Sequence, residues 1–165
     1  MKPVFAFLFV LAFSIAPWAK ATKPDHPLLT ADKLTWVDGS ETLPTGAKLT
    51  VLHGDPKSEG LFAIRLKFPS GWKAPAHTHP ADEQITVIKG SFWLGTGEKF
   101  EKDKLHEIPT GGFAIMNKGT NHFAMAKGET IIQIQAIGPW GIDYMNPADD
   151  PRTEKKYRIG FWPSS

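Results

Sequence analysis

Two stretches decide how this chain is read: GWKAPAHTHPADEQITVIKG, residues 71–90, and GGFAIMNKGTNHFAMA, residues 111–126. The first sets Gly71, His77, His79, Glu83 and Gly90 in the spacing G-x5-H-x-H-x3-E-x6-G, and the second sets Gly111, Asn117, Gly119 and His122 in the spacing G-x5-N-x-G-x2-H. Alternate residues of a strand point to one side, so His77 and His79 present two imidazoles to the same face. A straight strand would carry Glu83 roughly 20 Å beyond His77 at about 3.3 Å per residue, too far to share an ion. The chain must turn back between them, and Pro80-Ala81 is placed to do so, since proline fixes its own φ and cannot donate to a ladder. A second strand is then expected from Glu83 to Ile88, with Lys89-Gly90 as a hairpin turn into a strand over 91–94. Three histidines and one carboxylate suit a divalent first-row metal (Mn, Fe, Ni or Zn), and four protein ligands on an octahedral ion leave two positions for a substrate.

Working outward, short apolar or alternating runs separated by Gly, Pro, Asp and Ser predict further strands at 34–37, 48–53, 61–68, 105–108, 113–116, 122–126 and 130–137. Many short strands without a long helical period argue for an all-β sandwich or barrel. Inside it, Ile85 and Val87 share the parity of Glu83, and Ala124 and Ala126 that of His122, which surrounds the four polar residues with apolar and small side chains. Gln133 and Gln135 lie on one face of the last strand, and that face lines the pocket or meets solvent. Arg65 and Trp93 are open in the same way. Asp82 should point away from Glu83. His26, His53 and His106 read as surface or hydrogen-bonded residues, and Trp72, Trp93, Trp140 and Trp162 as packing residues, with Trp140 in a turn at Gly138-Pro139-Trp140-Gly141.

The two stretches resemble the two motifs of the cupin superfamily, over roughly residues 47–137. The first motif matches at Gly71, His77, His79, Glu83 and Gly90. The second matches at Gly111, Gly119 and His122, with Asn117 in place of the family's Pro and Ala126 in place of its final Asn. More narrowly, the chain resembles the small secreted single-domain cupins of bacteria. The resemblance implies an antiparallel jelly-roll barrel (a double-stranded β-helix) with His77, His79, Glu83 and His122 as metal ligands. It also implies oxygenase, isomerase or decarboxylase chemistry on a small oxygen-bearing molecule, or a non-catalytic metal- or ligand-binding sensor, and a possible homodimer.

The 165 residues, 41% hydrophobic, suffice for a single core. Residues 1–21 stand apart from it. Lys2 precedes an apolar stretch over 3–17, and Ala19-Lys20-Ala21 has the small-x-small form of a cleavage site, so a signal peptide ending at Ala21 is expected, with export to the periplasm or medium. The apolar run is shorter than the roughly twenty residues a bilayer span needs, so no membrane association is expected after cleavage. Residues 22–46 then form a lead-in with the first strand, 47–145 the barrel, and 146–165 a tail. The full chain has 19 Lys and Arg against 17 Asp and Glu. Loss of Lys2 and Lys20 with the leader brings the two into balance, which gives no electrostatic case for nucleic acid. With no cysteine in the chain, thiolate ligands and a Cys nucleophile are excluded.

Overall fold

A computed structural model describes residues 28–153. The expected leader, His26, Trp162 and the end of the tail lie outside them. Among the described residues no helix is long and apolar enough to cross a membrane. The architecture is nine antiparallel strands: β1 (Val37–Asp38), β2 (Lys48–His53), β3 (Gly60–Phe68), β4 (Lys73–Thr78), β5 (Glu83–Thr96), β6 (His106–Pro109), β7 (Phe113–Met116), β8 (His122–Gly138) and β9 (Asp143–Tyr144). They form one curled sheet in the order β1-β2-β3-β8-β4-β9, with β5 joined to β8 and carrying β6 and β7.

The long partners β5 and β8 organise everything else. The second half of β8 pairs with β3, Phe68 opposite Thr130 through Gly60 opposite Gly138. Its first half pairs with β4, where His77 lies opposite His122. Along its other edge β8 pairs with β5, from Gln84 opposite Gln135 to Thr96 opposite His122. One strand pair therefore runs through both walls of the jelly roll.

Here the structure departs from the strand pattern read in the sequence. Lys89-Gly90 is not a hairpin turn, and β5 continues through it as one strand of 14 residues. The ladder slips between Val87 and Lys89 and again between Lys89 and Ser91, and Gly90 adopts φ +81°. This irregularity acts as a bulge, and a bulge changes which face successive side chains take. Glu83, Ile85 and Val87 are buried before it, Phe92 and Leu94 after it. The parity switches from odd to even, so both halves of β5 face the same interior. A turn of two residues and a bulge of one call for the same glycine, and only tertiary pairing tells them apart. The strands expected at 122–126 and 130–137 likewise merge into β8, and the strand expected at 34–37 shrinks to β1 behind a short 3-10 turn at Ala31–Lys33.

The interior is built from the alternating faces of these strands: Phe62, Ile64, Leu66 and Phe68 of β3 meet Ile132 and Ile134 of β8 and Ile85 and Val87 of β5. Phe68 is stacked on Trp72 at 4.0 Å between ring centroids and on Phe92 at 5.8 Å. Each such fully buried side chain contributes about 1.5–3 kcal/mol. On the outer side of β4 and β8 a smaller cluster forms around Ala76, Leu105 and Phe123, with Trp93 packed against it. The chain after β9 returns over the outside: Arg152 grips Asp150, and one of its nitrogens reaches the Ile142 carbonyl at 3.4 Å.

Candidate metal centre

β4 would not bring His77 inward by simple alternation. Ala74 lines the interior and Ala76 joins the outer cluster, but the ladder shifts register between Ala74 and His77, and His77 turns in opposite His122. Pro75, which cannot donate to a ladder, sits in that irregularity. His79 follows on the bend after β4, where the Gly119 N–H donates to its carbonyl at 3.0 Å and ties the bend to the turn preceding His122. Three imidazoles converge. Their nearest ligand atoms all lie within 4.8 Å of one another, and the three side chains could hold a metal ion. All three are buried, as is Glu83. The Glu83 carboxylate oxygen Oε2 stands 3.5 Å from Nε2 of His79 and 3.5 Å from Nε2 of His122.

The protonation state follows from the outer contacts. Nδ1 of His77 faces the Pro75 carbonyl at 2.7 Å, Nδ1 of His79 the Gly141 carbonyl at 2.6 Å, and Nδ1 of His122 the Thr120 carbonyl at 2.9 Å. A carbonyl oxygen only accepts, so each Nδ1 carries the proton and donates it. Burial disfavours a second proton: it pushes His77 down to about 3, helped by repulsion from His122 and His79, and it lowers His79 despite the neighbouring Glu83. Nε2 of His77 and Nε2 of His79 are then free lone pairs. Burial would raise Glu83, but the neighbouring His79, His122 and His77 outweigh it and hold the carboxyl below its ordinary value. Where burial keeps His79 neutral, its Nε2 lone pair faces a carboxylate oxygen at 3.5 Å, a repulsive arrangement that a cation would reverse. Such carbonyl contacts also fix ring orientation in metal sites generally.

Around this polar cluster the cavity is apolar, with Leu66, Phe68, Ile85, Ile132, Ile134 and Ile142 among its walls. It is small, about 30 Å³, room for roughly two or three waters. The loop over residues 39–46 reaches it through one side chain. Leu43 contributes to its lining, and the loop is held by Trp72, whose Nε1–H donates to the Pro44 carbonyl at 3.1 Å, and by Tyr144, whose hydroxyl donates to the Thr42 carbonyl at 2.7 Å.

The four residues singled out in the sequence therefore meet at one place. The residues left open do not join them. Arg65 Nε donates to Gln133 Oε1 at 3.1 Å on the outer face, across the β3–β8 ladder, and Gln135 lines an outer groove with Pro80 and Lys118. Trp93 belongs to the outer cluster, where its Nε1–H donates to Ser91 Oγ at 2.9 Å. Asp82 points away from the site and accepts from the Lys118 N–H at 2.7 Å. His53 and His106 are exposed. Sequence reasoning missed Leu43, Tyr144 and the part played by Trp140, whose ring is stacked on His79 at 4.4 Å between centroids. The turn containing Trp140 was legible, but nothing in the sequence says that the turn folds back over the histidines.

An antiparallel jelly roll with three histidines turned inward gives this protein the cupin fold, and known structures agree in fold. The polyketide cyclase RemF from Streptomyces resistomycificus superposes with a TM-score of 0.65 at 13% identity, covering 80% of this chain and 94% of that one. An RmlC-like cupin from Shewanella frigidimarina gives 0.53 at 15% identity over 68% and 91% of the two chains. KdgF from Halomonas sp. gives 0.52 at 19% identity over 69% and 96%. At these identities the likeness is one of fold. Residues 16–138 match the family described as a domain of unknown function, DUF4437, and the chain belongs to that family. No curated protein matches it by sequence.

Proposed function

We propose that this cupin is a mononuclear metalloprotein in which His77, His79, Glu83 and His122 hold a divalent first-row ion (Mn, Fe, Ni or Zn), and that it acts on a small oxygen-bearing molecule. The observation that carries the reading is the convergence of three buried imidazoles, with Nε2 of His79 and of His122 beside the Glu83 carboxylate and every Nδ1 facing a backbone carbonyl. An imidazole and carboxylate donor set of this kind favours first-row transition metals. Such an ion, when bound, would act as a Lewis acid toward a substrate oxygen, or as a redox centre if iron or manganese.

The chain's own residues supply the rest. The apolar walls exclude water and strengthen electrostatic interactions at the site. The three carbonyl contacts keep the imidazoles in one orientation and one tautomer. The neighbour RemF is a polyketide cyclase, which supports small-molecule chemistry in a cavity of this fold without choosing the reaction. Export behind a cleaved leader over residues 1–21 belongs to the same proposal and rests on the sequence alone. The test is a turnover screen of the metal-loaded protein against small carboxylic acids, diketones and sugars, with and without oxygen. Product that disappears in a His122→Ala variant supports the enzyme reading. Saturable binding with no product in either atmosphere supports a carrier or sensor instead.

A further inference from the structure

Every N–H and O–H side-chain donor that lines the cavity is committed to a partner, with one exception. The Nδ1 protons of His77, His79 and His122 go to the carbonyls of Pro75, Gly141 and Thr120, the Trp72 N–H to Pro44, and the Tyr144 hydroxyl to Thr42. The Trp140 Nε1–H is buried and has no partner. The other buried side-chain atom in that condition among the described residues is Thr78 Oγ1, which does not belong to the cavity lining. A buried donor left unpaired costs about 1–3 kcal/mol and calls for a reason. Trp140 has a position that suggests one. Its ring lies against His79, 19° from parallel, and it forms part of the cavity wall beside the histidines.

We propose that the Trp140 indole N–H is the ligand-positioning donor of this site, and that it selects a small carboxylate monoanion on the scale of formate. This rests on the metal reading above. The choice of class comes from charge and from the donor count. A divalent ion with the Glu83 carboxylate leaves one net positive charge in an apolar cavity, where an uncompensated charge is expensive, and a monoanion cancels it. One oxygen of the anion would bind the ion held by the imidazoles, and the second would accept from the one donor that the protein leaves free. Neutral apolar molecules would leave both the charge and the N–H unanswered. Trp140 would act as a positioning residue that touches the ligand, with no proton transfer assigned to it.

The test uses the full chain loaded with cobalt(II), with formate as the probe and the cobalt visible spectrum as the signal, in the wild type and in Trp140→Phe. The variant keeps an aromatic ring against His79 and deletes the N–H. Formate affinity should fall roughly tenfold or more in the variant, the value of a charge-assisted hydrogen bond. Cobalt affinity and thermal stability should stay the same or rise, because an unpaired buried donor has gone. Equal formate affinity in the two proteins, with cobalt bound to both, overturns the role of Trp140 and leaves the metal reading standing. Failure of the wild type to bind cobalt overturns the metal reading and this one with it. Should Trp140→Phe not fold, the wild type still decides. The indole N–H resonance that cobalt displaces most, by its paramagnetism, identifies Trp140. In the zinc-loaded protein that resonance should move downfield on addition of formate, and a resonance that stays in place overturns the proposal.

Discussion

Replacement of Gly90 by alanine tests how the fold delivers Glu83 to the site. Gly90 sits at φ +81°, and an added Cβ would lie 2.5 Å from the Glu129 carbonyl oxygen and 3.1 Å from the Thr130 Cα, backbone atoms that cannot rotate aside. A left-handed conformation costs a non-glycine residue about 1–2 kcal/mol, and forcing a methyl into an occupied place adds about 1–3 kcal/mol. Gly111 provides the control, because it has φ +85° and nothing within 4 Å of its added Cβ. Gly90→Ala should therefore lose about 2–5 kcal/mol, and Gly111→Ala about 1–2 kcal/mol. The assay is urea unfolding of the metal-free proteins, followed by tryptophan fluorescence at neutral pH. Equal losses in the two variants would refute the reasoning, since the backbone conformation is shared and only the close approach of β8 differs. Metal affinity should fall further in Gly90→Ala than in Gly111→Ala, because the bulge sets the parity that turns Glu83 inward.

Acid should destabilise the metal-free protein. Burial first, then repulsion from His122 and His79, depresses His77 to about 3 from 6.5, so between those values the unfolded chain binds a proton that the folded one does not. Stability then rises with pH through that window and is lost as pH falls below 6.5, by about 2 kcal/mol at pH 5 from His77 alone. Urea melts at pH 7.5 and pH 5 in chelator measure it, and equal midpoints would contradict the assignment of His77 as a buried neutral imidazole. Tyr144→Phe removes the hydroxyl that donates to the Thr42 carbonyl at 2.7 Å and should lose about 1 kcal/mol, read from the same melts; an unchanged midpoint would show that this contact does not hold residues 39–46. Protein recovered from its native cells should have a mass that begins at Thr22, and an intact Met1 would end the proposal of a cleaved leader.

How much of this was legible beforehand depends on the kind of signal. The glycine and histidine spacings marked the jelly roll and picked out His77, His79, Glu83 and His122, because turn chemistry is local. Short strands such as β2 and β7 matched their expected limits for the same reason. The errors came where pairing overrides local preference. Lys89-Gly90 carries a turn signal, yet β8 pairs with β5 on both sides of it and makes it a bulge. His77 faces inward through an irregularity of the β4–β8 ladder, not through simple alternation from Ala74. Trp140, Tyr144 and Leu43 reach the cavity from segments far from the motifs in sequence, and no spacing rule links them to it.

The central claim is that three buried imidazoles and Glu83 hold one ion, and the most direct measurement is elemental analysis of the protein purified from its native compartment, beside a His79→Ala variant. The account predicts close to one Mn, Fe, Ni or Zn per chain in the wild type, lost in the variant. Wild-type protein without stoichiometric metal, or a variant that keeps it, would contradict the account.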